Sequence, residues 1–222
     1  MMANNEALIS AVVAEVMKSM NKQNEVKKEE ANGEIKVGVS QRHIHLSRED
    51  LDILFGKDYQ LTKLKPLMGK EYAAKEVVTL VGKSLKPIEN VRVLGPERKN
   101  TQVEISRTDT FVLKVSPPVR PSGEVAGSES LVVVGPKGTI YLKEGVIIAN
   151  RHIHMPPEVA EMYGIKDNDR VDVVVDGEKP TEFFDVQIRV RDDFNTEMHI
   201  DTDDANSSAL KNGDKVRIIT KK

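Results

Sequence analysis

Hydrophobic positions along the chain fall into two regimes. In residues 5 to 20, Leu8, Ile9, Val12, Val13, Val16, Met17 and Met20 recur at spacings of one, three and four, which gathers them on one stripe of an amphipathic helix. From about Asn21 the side chains turn to Lys, Glu, Asn and Gln, so residues 22–32 read as a solvated linker. The helix, residues 1–21, is thereby tethered to the rest of the chain. Two uses are open to it: docking on its own chain or a second copy, or binding a partner as an encapsulation tag.

After Gly33 the apolar runs become short, rich in Val and Ile, and separated by Gly, Pro, Asn or Asp. Strands are predicted at Ile35–Ser40, Val77–Val81, Val91–Leu94, Val103–Ser106, Phe111–Val115, Leu131–Val134, Thr139–Leu142, Val146–Ala149, Val171–Val175, Phe183–Val190 and Val216–Thr220. Short helices are expected from Ser47, where Asp50 completes a capping-box-like pair, after Pro156-Pro157, and around Asp203 to Leu210. One internal repeat organises these elements. Arg42-His-Ile-His45 and Arg151-His-Ile-His154, roughly half a chain apart, each follow a strand and precede a short helix and an aromatic-Gly pair, Phe55-Gly56 and Tyr163-Gly164. The expected fold is mainly β, with two small, similar β-barrel domains capped by short helices.

The balance of 33 Lys and Arg against 35 Asp and Glu gives a net charge of −2, without the basic surplus expected of a nucleic-acid binder. No run of about 18 apolar residues marks a membrane span, and no secretory signal opens the sequence, so a soluble, intracellular protein is expected. Cysteine is absent, which removes disulfides, thiolate metal sites and Cys nucleophiles together. With no Trp, 4 Tyr and 5 Phe, a stacking platform for bases is improbable.

The candidate chemistry lies in the histidines. All five fall at His43, His45, His152, His154 and His199. On a strand, residues i and i+2 share a face, so each His-Ile-His aims two imidazoles at one point while its Ile faces the other way. One such pair is commonly a chance pairing; two in matched contexts argue for two metal half-sites of the kind that suits Zn, Co, Fe, Ni or Cu. His199, in Glu197-Met-His-Ile-Asp201, is a candidate third ligand. Glu104 is the candidate carboxylate, since Val103 and Ile105 point away from it. Just upstream, Arg92, Arg98 and Lys99 surround a Gly-Pro turn and offer an anion site alongside the plainer reading of solvated charge. No Walker or dinucleotide glycine fingerprint is present.

Four separated motifs, Ser40-Gln-Arg-His-Ile-His-Leu-Ser47, Leu94-Gly-Pro-Glu-Arg-Lys-Asn-Thr-Gln-Val-Glu-Ile-Ser106, Ala149-Asn-Arg-His-Ile-His-Met155 and Met198-His-Ile-Asp-Thr-Asp-Asp-Ala-Asn206, resemble in their order the PduL-type phosphate acyltransferases (phosphate propanoyltransferases) of bacterial microcompartments. The resemblance runs from about Gly33 to Ile219. It implies interconversion of acyl-CoA and phosphate with acyl phosphate and CoA, with two zinc ions per chain or cobalt in their place. It further implies one barrel from residues 33–42 plus 150–222 and another from residues 43–149. By the same resemblance His43, His45 and Glu104 hold one ion and His152, His154 and His199 the other. Arg98 grips phosphate as the catalytic arginine, and Ser40, Arg92, Leu94 and Asn206 contact CoA, with Lys65 a lesser candidate. A homo-oligomer in the microcompartment lumen is expected, with shell or cargo as partner of the N-terminal helix. The rivals are a His-x-His hydrolase or cupin-type oxygenase, and a non-enzymatic metal-binding microcompartment component.

Overall fold

The computed structural model describes residues 12–13, 15–18 and 33–219. Strand β1 (Glu34–Ser40) leads into the very short β2 (His43–His45), helix α1 (Arg48–Phe55), β3 (Lys63–Pro66), β4 (Tyr72–Val81), β5 (Pro87–Gly95) and β6 (Gln102–Glu104). Helix α2 (Arg107–Leu113), β7 (Val119–Arg120), β8 (Glu129–Val134) and β9 (Thr139–Ala149) come next. The chain continues through β10 (His152–Met155), α3 (Pro157–Tyr163), β11 (Arg170–Val175), β12 (Thr181–Val190), β13 (Glu197–Asp201), α4 (Thr202–Ser208) and β14 (Lys215–Ile219).

These strands close two six-membered rings. The first runs β1-β13-β10-β12-β11-β14 and back to β1. The second runs β4-β5-β2-β6-β9-β8 and back to β4, with β3 added beside β4 and β7 beside β9. Closure removes the open edges that short strands would otherwise expose. Each ring encloses its own core: Ile35, Val37, Ile153, Val173, Ile188 and Met198 in the first, and Ile44, Leu46, Leu80, Val93, Val103 and Val133 in the second.

The repeat in the sequence is a repeat in topology. In the second barrel β2 lies between β5, parallel to it, and β6, antiparallel. In the first, β10 lies between β12, parallel, and β13, antiparallel. Each histidine strand therefore has the same pair of neighbours, and each antiparallel neighbour is followed at once by a short helix, α2 or α4. Because β1 enters the first barrel before β2 starts the second, the chain crosses between barrels twice, at Gln41-Arg42 and at Asn150-Arg151.

Three features depart from the strand pattern expected from the sequence. Phe111–Val115 is not a strand, since Arg107–Leu113 is helical. Ser106 caps that helix in a full capping box, its backbone N–H donating to Asp109 Oδ2 at 3.1 Å and its hydroxyl accepting from Asp109 N. Thr110 and Leu113, three apart, face inward, while Phe111 stays exposed. The local cap thus outweighs the β propensity of Phe-Val. Secondly, Thr139–Leu142 and Val146–Ala149 are one continuous strand, β9, in which Gly145 takes a positive φ of 134°. Lastly, β3 and β7 carry too few buried apolar residues to be read from periodicity. The expected N-terminal helix lies mostly outside the described residues; where described, 12–13 and 15–18 are helical. No helix among the described residues is long and apolar enough to cross a membrane.

Ile44 and Ile153, each between two histidines, are fully buried. Ile153→Ala should cost about 2–5 kcal/mol through lost transfer energy and the cavity it leaves. Urea unfolding should read this as a lower midpoint with an unchanged slope. A loss under about 1 kcal/mol would mean that the strand is not anchored through its central side chain.

Candidate functional site

The register of the short strands assembles two triads. Opposite His43 on β2 stands Glu104 on β6, and opposite His152 on β10 stands His199 on β13. With His45 and His154 two residues on along the same faces, the ligand atoms of His43, His45 and Glu104 lie within 4.8 Å of one another, as do those of His152, His154 and His199. The two sets occupy equivalent places in the two barrels, so Glu104 is the structural counterpart of His199.

The supporting contacts repeat as well. His43 Nδ1 lies 2.8 Å from the carbonyl of Gln41, and His152 Nδ1 lies 2.9 Å from that of Asn150. A carbonyl can only accept, so each Nδ1 carries the proton and Nε2 is the ring nitrogen available to a further partner. The arginine of each Arg-His-Ile-His also has a fixed partner: Arg42 meets Asp109 at 2.9 Å and Arg151 meets Asp204 at 2.8 Å. Both aspartates stand in the first turn of the helix five residues beyond the third ligand, Glu104 or His199. These ion pairs tie each histidine strand to the helix after its neighbour.

Burial and charge set the protonation states. Burial lowers the His43 pKa, but the Glu104 carboxylate, 3.5 Å from its Nε2, more than offsets this and the net shift is upward. Burial pushes Glu104 up, yet the neighbouring His43, with His45 and the Ser122 hydroxyl, holds it far below the usual carboxylate range. Gln102 Nε2 and Ser122 Oγ both donate to Glu104 Oε1, at 2.6 and 2.8 Å. His45 is held well below its ordinary value by burial and by His43. In the other triad burial and His199 lower His152 to about 4, and burial with His152 and His199 pushes His154 lower still. His45, His152 and His154 are therefore neutral at pH 7, the form in which imidazole binds metal.

Two buried atoms, His45 Nδ1 and His154 Nδ1, have no hydrogen-bond partner. Buried polar atoms are normally satisfied, so an orphan in the same place in both barrels fits a ligand role for these imidazoles. The donor sets, two His with one Glu and three His, suit a borderline divalent ion such as zinc. Residues and chemistry are therefore compatible with one metal ion per triad.

Both triads face one cleft of about 610 Å³ between the barrels. Of the residues expected to bind substrate, Ser40, Lys65, Leu94 and Arg98 line it; Arg92 and Asn206 do not. The Arg92 guanidinium donates to the backbone carbonyls of Ala74 and Lys75, which makes it a clasp between strands. Asn206 is exposed on α4, its carbonyl accepting from Lys179. Arg98 reaches the cleft from the loop after β5, its fork held by Glu71 at 2.6 Å and Ser122 at 3.2 Å. The sequence pattern did not single out Gln102 and Ser122, which position Glu104, or Arg189 and Arg191, which add positive charge to the cleft wall. Alternation in Arg189-Val-Arg191 at the end of a predicted strand was the one signal for the arginines.

With this geometry in place, a profile of the phosphate propanoyltransferase family matches residues 36–211. A phosphate propanoyltransferase of Thermotoga maritima is 58% identical over 184 residues, 82% of this chain and 88% of that protein. One from Priestia megaterium is 46% identical over 210 residues, covering 95% of this chain and 94% of its own. Another, from Clostridioides difficile, is 45% identical over 216 residues, 97% and 99% of the two chains. The chain belongs to the phosphate propanoyltransferase family and is an acyltransferase.

Burying His152 as a neutral ring has a consequence for metal-free protein. Its folded pKa of about 4 lies below the unfolded value of 6.5, so between these values the unfolded chain binds a proton that the folded chain does not. Stability should fall as pH descends from about 6.5 to about 4, with His154 acting in the same sense. Denaturation midpoints of metal-free protein across this window should show the slope, and His152→Gln should flatten it. Identical slopes in the two proteins would mean that His152 is not buried in the neutral form.

Proposed function

We propose that the cleft between the barrels is the site of a metal-dependent phosphate acyltransferase that converts a short acyl-CoA, propanoyl-CoA in the first instance, and phosphate into acyl phosphate and CoA. The observation that carries this reading is that two equivalent metal-competent triads face a single arginine-lined cleft. The chemistry joins an oxygen of hydrogenphosphate to the thioester carbonyl carbon, breaks the C–S bond and sends the electron pair out on sulfur, and the proton lost by the phosphate ends on the released thiolate. A zinc ion in each triad, or cobalt, would supply Lewis acidity toward the carbonyl and the departing thiolate.

The chain's own residues supply position. Arg98 presents a planar fork already fixed by Glu71 and Ser122, so it holds phosphate oxygens at little further cost in side-chain entropy. Leu94 and Ser40 offer one apolar and one hydroxyl contact on the wall of the cleft, and Lys65 a positive charge for CoA phosphates. With no cysteine in the chain, an acyl-Cys intermediate is excluded, and direct attack in a ternary complex is the simplest course. It calls for sequential rather than ping-pong initial-rate patterns.

The N-terminal segment belongs to the same reading, as the device that carries the enzyme into a microcompartment lumen through shell or cargo. Support comes from Val12, Val13, Val16 and Met17, which are helical and at least half exposed. So short an apolar stripe gains stable helicity only against another surface. Self-association of the chain through this stripe is the competing use.

Two expected outcomes test these proposals. Purified protein should bind about two ions per chain, release CoA from propanoyl-CoA only with phosphate, and lose this activity to chelator. His43→Ala and His152→Ala should each remove about one ion, because each takes a ligand from a different triad. Full activity with no bound metal would end the metal-dependent reading. Deletion of residues 1–21 should leave metal-loaded, active enzyme, while residues 1–21 fused to a fluorescent protein should become punctate only when the shell is co-expressed. Diffuse fluorescence with and without shell, together with insoluble truncated enzyme, would return the segment to the fold.

A further inference from the structure

Of the arginines on the cleft wall, Arg189 is the one that the fold itself does not use. The fork of Arg98 is occupied by Glu71 and Ser122. Arg191 is held by Asp193 and stacks over Phe194 at 4.1 Å. Arg189 is half-buried, lines the cleft, and among the described residues has no side-chain hydrogen bond or ion pair. An unpaired guanidinium partly withdrawn from water, beside two other cations, is costly unless an anion completes it. Its environment agrees: burial first, then Arg98 and Arg191, disfavour the charged form, while Glu104 and Asp167 offset this only in part.

The position of Arg189 is set by strand register. On β12, the parallel neighbour of the histidine strand β10, it stands opposite His154, as Leu94 on β5 stands opposite His45 in the second barrel. Both side chains line the cleft, so equivalent places in the two barrels present a cation on one wall and an apolar group on the other. Arg189 also borders a neighbouring groove of about 250 Å³.

We propose that Arg189 is the second arm of a phosphate clamp whose first arm is Arg98: the two arginines, one from each barrel, hold the attacking phosphate, and the phosphoryl group of the acyl phosphate, from opposite walls. This rests on the acyltransferase reading of the cleft. In the step itself the phosphate oxygen bonds to the carbonyl carbon and the C–S bonding pair leaves on sulfur, while Arg189 contributes charge and hydrogen bonds without giving up a proton.

The test uses the metal-loaded full-length chain carrying Arg189→Gln or Arg189→Lys, with Arg98→Lys as the reference. In Arg189→Gln the KM for phosphate should rise at least about tenfold and that for propanoyl-CoA change less than about twofold, with metal content unchanged and Tm no lower than in wild type. Arg189→Lys should recover part of the loss, since it restores the charge without the fork. A phosphate KM within about twofold of wild type, an equal rise for both substrates, or a loss of metal would overturn the clamp. Calorimetric titration with inorganic phosphate separates this from the enzymatic reading. If wild-type protein shows no phosphate-dependent CoA release, that reading fails, yet a tenfold weaker phosphate affinity in Arg189→Gln still supports the clamp and an unchanged affinity defeats it. Should Arg189→Gln not fold, Arg189→Lys decides on the same comparison, at a threshold of about threefold.

Discussion

The site depends on the two-residue period of two very short strands. β2 and β10 each present His-Ile-His, and the fully buried isoleucine fixes which way the flanking imidazoles point. A slip of one residue in either strand would put a histidine into the barrel interior and the isoleucine into the cleft. Burial of that one side chain therefore holds two imidazoles in place. The carbonyls of Gln41 and Asn150, two residues before His43 and His152, fix the Nδ1 proton of the first histidine without any additional side chain.

Duplication gives the two triads a common frame, and substitution within the frame separates their roles. At the third position of the triad one barrel carries a carboxylate and the other an imidazole, so a divalent ion would leave the carboxylate-bearing triad one charge less positive than the all-histidine one. Glu104 is braced by Gln102 and Ser122, and Ser122 in turn touches Arg98, whereas His199 has the Glu197 carboxylate 3.2 Å from its Nε2. The carboxylate-bearing triad is thus linked through one hydroxyl to the arginine proposed to hold phosphate, whereas the all-histidine triad lies beside Phe194, which stacks on His154 at 4.0 Å. Each triad nonetheless has an arginine close by, Arg98 beyond Ser122 on one side and Arg189 paired with His154 on the other. An arginine beside each triad suits a reaction whose nucleophile is an anion.

Much of this was legible in the sequence because the repeat is carried by residues whose chemistry is unmistakable at fixed spacing. His43, His45, His152 and His154 could be paired by alternation alone, and Glu104 by its apolar neighbours. The part that stayed hidden depends on register across strands. Arg92 and Arg98 look alike in the sequence, but β4 lies against β5, so Arg92 is spent on the carbonyls of Ala74 and Lys75 while Arg98, beyond the strand end, reaches the cleft. Arg189 shows only its alternation with Arg191 until β12 is known to lie parallel to β10. The helix at Arg107–Leu113 was written in Ser106 and Asp109, but Asp109 also serves Arg42, and the branched and aromatic residues after it obscured the cap.

Interleaving of the barrels ties the integrity of the site to the whole chain. β1 closes the first barrel by pairing with β13, setting Gly38 beside His199. There a side chain at Gly38 would meet the Glu197 carboxylate at 3.0 Å, so glycine permits the approach. The strand bearing His199 thus lies against β1, although the whole second barrel intervenes in sequence. Such pairing is slow to form, because loop closure must precede any gain from contact. It also means that neither barrel is a separable metal-binding module: cutting the chain between them would remove β1 from the barrel that holds His152, His154 and His199. The two crossings, each fixed by an arginine to the helix beyond the neighbouring strand, hold the triads on the same cleft, and the chemistry proposed there needs both barrels at once.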